Sequence, residues 1–206
     1  MSAGRTEPID VAALLAGIRN GDETAIGRLL ESYFDYLIVL ARVQIGRRLQ
    51  GKIDPADIVQ EVFLDAHRQF GQFRGATEAE FSAWLRRILA GQIALLLRRF
   101  LGTKGRDIHM ERELAMQIDQ SSQIMDGGLI ANNSTPSQHA SRREQSVLLA
   151  EALAKLPEDY REVIILRHLE ALTFVEVSQR MNRTEDSVQK LWVRALASLR
   201  RSMGAA

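Results

Sequence analysis

The chain has 206 residues, 46% of them hydrophobic and 26% charged, with a formal net charge of +1. That balance fits one globular domain or two small ones and excludes a wholly disordered or collagen-like chain. The absence of cysteine excludes disulfides, thiolate metal sites and a cysteine nucleophile. Residues 1–10 have no signal-peptide core, and no apolar run, that of residues 93–97 included, is long enough to cross a bilayer.

Leu, Ala, Arg, Glu and Gln are plentiful and aromatics make up only 6%, a mixture that favours helix. Residues 9–19 set Ile9, Val11, Leu14, Leu15 and Ile18 on one face, and Asn20-Gly21 ends that helix. Residues 22–45 carry Ile26, Leu29, Leu30, Tyr33, Leu37, Leu40 and Ala41, a spacing that predicts one continuous helix. Gly46 and Gly51 bracket a basic turn. Asp54-Pro55 reads as an N-cap followed by proline at the first helical position, where its missing N–H costs nothing. Ile58, Val59, Val62, Phe63, Ala66 and Phe70 form the buried stripe of that helix. A loop over residues 71–76 precedes Thr77-Glu78-Ala79-Glu80, a capping box. The helix it opens carries Phe81, Trp84, Leu85, Ile88, Leu89 and Ile93.

Beyond Phe100 the pattern weakens. Gly102, Gly105, Gly127-Gly128, Asn132-Asn133 and the run Ser134, Thr135, Pro136, Ser137 mark residues 101–141 as a flexible linker with a short helix over 107–118. A linker of that length predicts two domains, residues 1–100 and 142–206. The second half is helical again, over 142–154 and 158–169. Thr173-Phe174-Val175-Glu176 is another capping box, Met181-Asn182-Arg183 turns, and Thr184 caps a last helix with Val188, Leu191, Trp192, Ala195 and Leu199 inward. A short helix, a tight turn and a longer basic helix make a helix-turn-helix. The fold class is therefore all-α, with two small helical domains.

Charge is unevenly placed. Arg86, Arg87, Arg98, Arg99, Lys104 and Arg106 stand in a stretch without an acid; Arg183, Lys190, Arg194, Arg200 and Arg201 face only Glu185 and Asp186 in theirs. Asp54, Asp57, Glu61 and Asp65 outweigh Lys52. Two basic segments and one acidic segment point to a polyanion partner and a separate protein partner. On the last helix, Gln189 suits adenine, Lys190 and Arg194 suit guanine, and Glu185 or Asp186 suits the cytosine amino group. The four histidines, His67, His109, His139 and His168, form no metal-spaced pair, and neither a P-loop nor a dinucleotide fingerprint occurs. The sequence thus names no catalytic residue, metal site or cofactor.

Three blocks carry a resemblance. Residues 54–66 (DPADIVQEVFLDA) resemble the core-polymerase-binding helix of bacterial sigma factors. Phe73-Arg74-Gly75 through Leu85 is similar to the loop and helix that follow it in the extracytoplasmic-function (ECF) subgroup of the sigma-70 family. Residues 153–163 (LAKLPEDYREV) resemble the opening of that family's second DNA-binding domain. The blocks stand in the family's order and spacing, and the resemblance covers about residues 9–100 and 145–201, nearly all but the linker.

The resemblance implies a cytoplasmic, non-enzymatic sigma factor that binds core RNA polymerase, directs it to promoters and helps open promoter DNA without ATP. It implies polymerase contacts at Asp57, Gln60, Glu61 and Asp65. Contacts to the −10 element would come from Phe73, Arg74, Arg86, Arg87, Arg98 and Arg99. Contacts to the −35 element would come from Arg183, Thr184, Glu185, Ser187, Gln189, Lys190 and Arg194. An anti-sigma factor is a further partner that the subgroup implies. Two departures limit the transfer. Ala90, Gly91 and Leu95 replace an Arg-Asn pair and an Asp common in the subgroup, and Leu191 replaces a commonly basic residue. A regulator that binds DNA without polymerase is the competing reading, and it leaves the acidic helix unexplained. A regulator that mimics a sigma factor's folds would need no promoter-binding helix.

Overall fold

The computed structural model describes residues 10–46, 53–101, 108–126 and 139–204. These residues are helix and turn throughout, with no strand among them. Ile9, the basic turn ahead of Ile53, Lys104, Arg106, Gly127-Gly128 and the run from Asn132 to Ser137 lie outside the described residues.

Helix α1 (Val11–Arg19) starts where the Asp10 carboxylate accepts the Ala13 N–H. It ends at Asn20, after which Gly21 takes φ +95°, a conformation that glycine adopts without a Cβ clash. Helix α2 (Glu23–Ser32) is capped by Asp22, whose carboxylate accepts from the amides of Thr24 and Ala25. The expected continuous helix over 22–45 is in fact two. Tyr33 closes α2 with a 3-10-type bond to Leu30, and α3 (Phe34–Gly46) starts afresh. Tyr33 is the reason: its buried ring lies edge-on to both Tyr36 and Phe81, and its hydroxyl reaches Glu78 Oε1 at 3.2 Å. Packing of one aromatic residue outweighs helical periodicity there.

Helix α4 (Pro55–Gln69) opens on the expected Asp54 cap, with the Ala56 N–H bonded at 2.9 Å. A 3-10 turn (Phe70–Gln72) and a short loop lead to α5 (Glu78–Leu101). The Thr77–Glu80 capping box is formed in both directions. Helices α7 (His139–Ala154) and α8 (Glu158–Ile164) follow, and α8 runs into a π-helical turn (Ile165–Leu169). The second capping box opens α9 (Phe174–Arg180), and α10 (Glu185–Gly204) is the last helix.

Between α5 and α7, within the expected linker, lies the 19-residue helix α6 (Ile108–Asp126). It is longer than the short helix expected over 107–118. Leu114, Ile118 and Met125 on it are buried, and it packs on α3, α5 and α7. Its polar composition hides that stripe from a reading by average hydropathy. Helix α3 is buried almost all round, from Tyr36 to Ile45, because α4 and α5 cover one side and α6, α7 and the π turn cover the other.

Candidate protein and nucleic-acid interfaces

On α4 the apolar stripe of Ile58, Val59, Val62 and Ala66 is buried, so the opposite face is presented to solvent. Asp57, Gln60 and Glu61 are exposed there. Asp65 is not: its carboxylate is half-buried towards α5, taking Gln92 Nε2 at 2.5 Å and Arg68 at 3.3 Å. Its helical phase lies close to that of Ile58, which corrects its place in the exposed ridge.

The sequence reading missed the apolar part of this face. Leu64 is 49% exposed, and its phase falls between Gln60 and Asp57. A groove of about 870 Å³ on one flank is lined by Leu30, Phe34, Asp35, Phe63, Leu64 and His67. Burial pushes the Asp35 carboxyl up from its ordinary value, against the pull of Arg161 and Lys155. The other flank is a groove of about 730 Å³ between α4 and α5, in which Leu95, Leu96, Arg99 and Phe100 face Asp57 and Glu61. A leucine at position 64, where the helical pattern calls for a polar residue, is the signal that finds this surface in sequence.

The loop before α5 was expected to bring Phe73 to the −10 element. Instead Phe73 is 9% exposed, stacked on Trp84 at 4.8 Å and edge-on to Phe81 at 5.7 Å. The ring is enclosed by Trp84, Phe81 and Phe70. Gly75 makes this fold-back possible: a Cβ there would lie 2.4 Å from the Phe73 ring and 2.7 Å from Glu80 Cβ. Arg19 also donates to the Gly75 carbonyl. Arg74 stays exposed, with Nη1 on the Gly71 carbonyl at 3.1 Å.

The basic residues of α5 divide. Arg86, with only 11% of its side chain exposed, bonds Asp119 at 2.6 Å, Ser82 at 2.6 Å and Tyr36 at 3.2 Å. Burial alone would lower its pKa, but Tyr36 and Asp119 hold it above the ordinary arginine range. Arg86 is therefore a structural clasp between α5 and α6, which corrects its expected place on DNA: Asp119 and Ser122, the latter bonded to Tyr36, sit on the helix that composition concealed. Arg98 is partly buried, whereas Arg87 and Arg99 are exposed. Ala90 is buried, and a Cβ on Gly91 would meet Glu111 Oε1 of α6 at 3.9 Å. Of the three α5 positions that depart from the subgroup pattern, Gly91 faces α6, while Leu95 lines the groove towards α4.

In the second half, Val188, Ala195 and Leu199 are buried, so α10 turns its other side outward. Thr184 caps it through the Ser187 N–H at 3.3 Å. Gln189, Lys190 and Arg194 are exposed and Ser187 is half-exposed. Lys190 pairs with Asp186 at 2.7 Å and Gln189 with Glu185 at 3.2 Å, both within the helix. Arg183 is bonded to Asp159 of α8 at 2.6 Å. The tight turn is closed by Asn182 at φ 51°. Leu191 packs against the core, so its apolar character serves the fold.

The amino-acid sequence is similar to those of known proteins. The sequence model of Sigma-70 region 2 matches residues 39–100, and that of Sigma-70, region 4 matches residues 146–199. The chain is 26% identical over 189 residues to the ECF RNA polymerase sigma factor SigW of Bacillus subtilis, covering 90% of this chain and 92% of the relative. It is 27% identical over 189 residues to the ECF RNA polymerase sigma-E factor of Haemophilus influenzae, covering 92% and 93%. Among solved structures, CnrH in complex with the cytosolic domain of CnrY matches over 94% of this chain and 97% of that one, at 22% identity and a TM-score of 0.33. With both Sigma-70 regions present in order and full-length relatives of one kind, the chain belongs to the sigma-70 family, in its ECF subgroup, and is a promoter-directing RNA polymerase sigma factor.

Proposed function

We propose that the exposed face of α4 is the polymerase-binding surface, with Asp57, Gln60 and Glu61 as charged and polar contacts around Leu64. The observation that supports this is the pairing of an acidic ridge with an exposed leucine and an apolar groove at its side. A partner helix pair with basic flanks and an apolar centre complements that surface in charge and shape. Residues 1–100 form the polymerase-binding and −10 unit, residues 142–206 the −35 unit, and residues 101–141 their connection. Arg74, Arg87 and Arg99 follow the phosphates of the opened strand, and binding energy rather than catalysis holds that strand. Gln189, Lys190 and Arg194 read base edges of the −35 element, while Thr184 and Ser187 at the helix N-terminus suit phosphate contacts. The protein acts in the cytoplasm, where polymerase meets promoters; no described helix is long and apolar enough to cross a membrane.

The test is binding to core polymerase. Asp57→Arg and Glu61→Arg bring like charges together in a complementary interface, which costs several kcal/mol. Both variants are expected to keep the parent's helical content and to lose core-polymerase affinity in a pull-down. Parental affinity in both would remove α4 from the interface. A DNA-only regulator would bind promoter fragments without polymerase and be indifferent to either substitution.

A further inference from the structure

The inward seam of α10 is Val188, Ala195 and Leu199, all buried, with the partly buried Trp192, spaced at alternating steps of four and three residues. Three of the four are aliphatic, and their contacts are non-directional. Trp192 differs. Its indole Nε1 donates to His168 Nε2 at 3.0 Å. The two rings stack with centroids 5.9 Å apart and 20° between planes. Phe174 closes the other side edge-on at 5.5 Å, and the Arg167 guanidinium lies over Phe174 at 4.9 Å. His168 stands in the π-helical turn, whose extra residue per turn re-aims side chains relative to α8.

The direction of the bond is settled by chemistry. Indole N–H only donates, so His168 Nε2 accepts and its ring is neutral with the proton on Nδ1. Burial, aided by Arg167, lowers the His168 pKa and favours that form.

Lys190 and Arg194 lie two residues to either side of Trp192, nearly opposite it in helical phase. A rotation of α10 about its axis therefore moves both across the groove together. With a helix about 10–12 Å across its side chains, a rotation of about 10° displaces its surface by about 1 Å. That is larger than the tolerance of about 0.5 Å within which a recognition constellation must be held.

We propose that His168 is a positioning residue for promoter recognition: by accepting the Trp192 N–H it fixes the rotation of α10 and so the register of Lys190 and Arg194 on the −35 element. This rests on the reading of α10 as the base-reading helix. Nothing in the family matches or in the motifs of the sequence assigns His168 a role.

The experiment uses the full chain reconstituted with core polymerase. Promoters with randomised −35 elements are selected with the parent holoenzyme, and the preference for the selected element over its single-base variants is then measured. His168→Phe keeps the stacked ring and removes the acceptor; His168→Gln restores an acceptor oxygen. Loss of one directional bond is expected to lower the preference about 3- to 10-fold in His168→Phe, with core-polymerase affinity unchanged and the preference largely restored in His168→Gln. Trp192→Phe is expected to relax the preference likewise, and adding His168→Phe to it should change nothing further. Lys190→Ala is the control. If it relaxes the preference and His168→Phe does not, the proposal is overturned; if neither relaxes it, the base-reading assignment itself falls. Should His168→Phe lower thermal stability, the Trp192→Phe background decides. No further loss of preference there supports the proposal, and additive loss overturns it.

Discussion

Helices α5 and α10 are both long and both carry several basic side chains, yet the fold places those charges differently. On α5 the first cation, Arg86, is almost enclosed and bonded to three side chains from three elements. On α10 the cations Lys190 and Arg194 stand in solvent, and the ion pair of Lys190 lies within its own turn. An exposed i,i+4 pair contributes little to stability and can be exchanged for a nucleic-acid contact at small cost. An enclosed guanidinium cannot be, because leaving its partners strands them. The lesson is that a run of basic residues marks a nucleic-acid surface only where no neighbouring helix has already claimed the charge.

The largest test of this contrast is Arg86→Ala. Loss of the charge-assisted bonds to Asp119 and Ser82 is expected to destabilise the chain by about 2–3 kcal/mol, measured by urea denaturation. Lys190→Ala should stay within about 0.5 kcal/mol of the parent. Equal effects would erase the distinction between the helices. Next, Arg87→Ala should flatten the log–log salt dependence of promoter binding by the holoenzyme by about one unit, the signature of one lost phosphate contact. If the slope stays unchanged, Arg87 is a solvated charge and α5 contributes less to the DNA path than α10.

Gly91→Ala sharpens the comparison from the side of the backbone. A Cβ at Gly91 would meet only Glu111 Oε1, at an ordinary 3.9 Å, so the residue can be added without a clash. Replacing a glycine inside a helix should then stabilise α5 by about 0.5–1 kcal/mol, read as a rise in Tm. A fall would show that α6 sits closer to α5 than this spacing allows.

The smallest effects concern the caps that start α5 and α9. The Ala76 amide, with the Thr77 hydroxyl and amide, holds Glu80 below the ordinary glutamate pKa, and the Thr173 amide and hydroxyl do the same for Glu176. A carboxylate depressed in the folded state contributes stability above its unfolded pKa and loses it as pH falls through the lowered folded value. Acid titration followed by circular dichroism should show the parent losing helix in that window. Glu80→Gln and Glu176→Gln should each lose part of the acid dependence, with a similar small change in both.

The sequence by itself determined the helix starts, because a cap is a local matter. Asp10, Asp22, Asp54, Thr77 and Thr173 each satisfy amides within a few residues. It likewise determined the helix-turn-helix, the family to which the chain belongs, and the apolar stripes of α4 and α10, since periodicity is visible without a partner. Tertiary structure decided what depends on residues far apart in the chain. The break at Tyr33 exists because Phe81 and Glu78 are there to meet it. Phe73 is core because Gly75 lets the loop fold back on Trp84. Arg86 is a clasp because α6, whose few buried residues are diluted by polar ones, brings Asp119 to it. Asp65 leaves the ridge because Gln92 reaches across from α5, and Leu64 joins it because no described helix covers that face. In each case the side chain's type was legible in the sequence, and its role was set by which distant group occupied the space beside it.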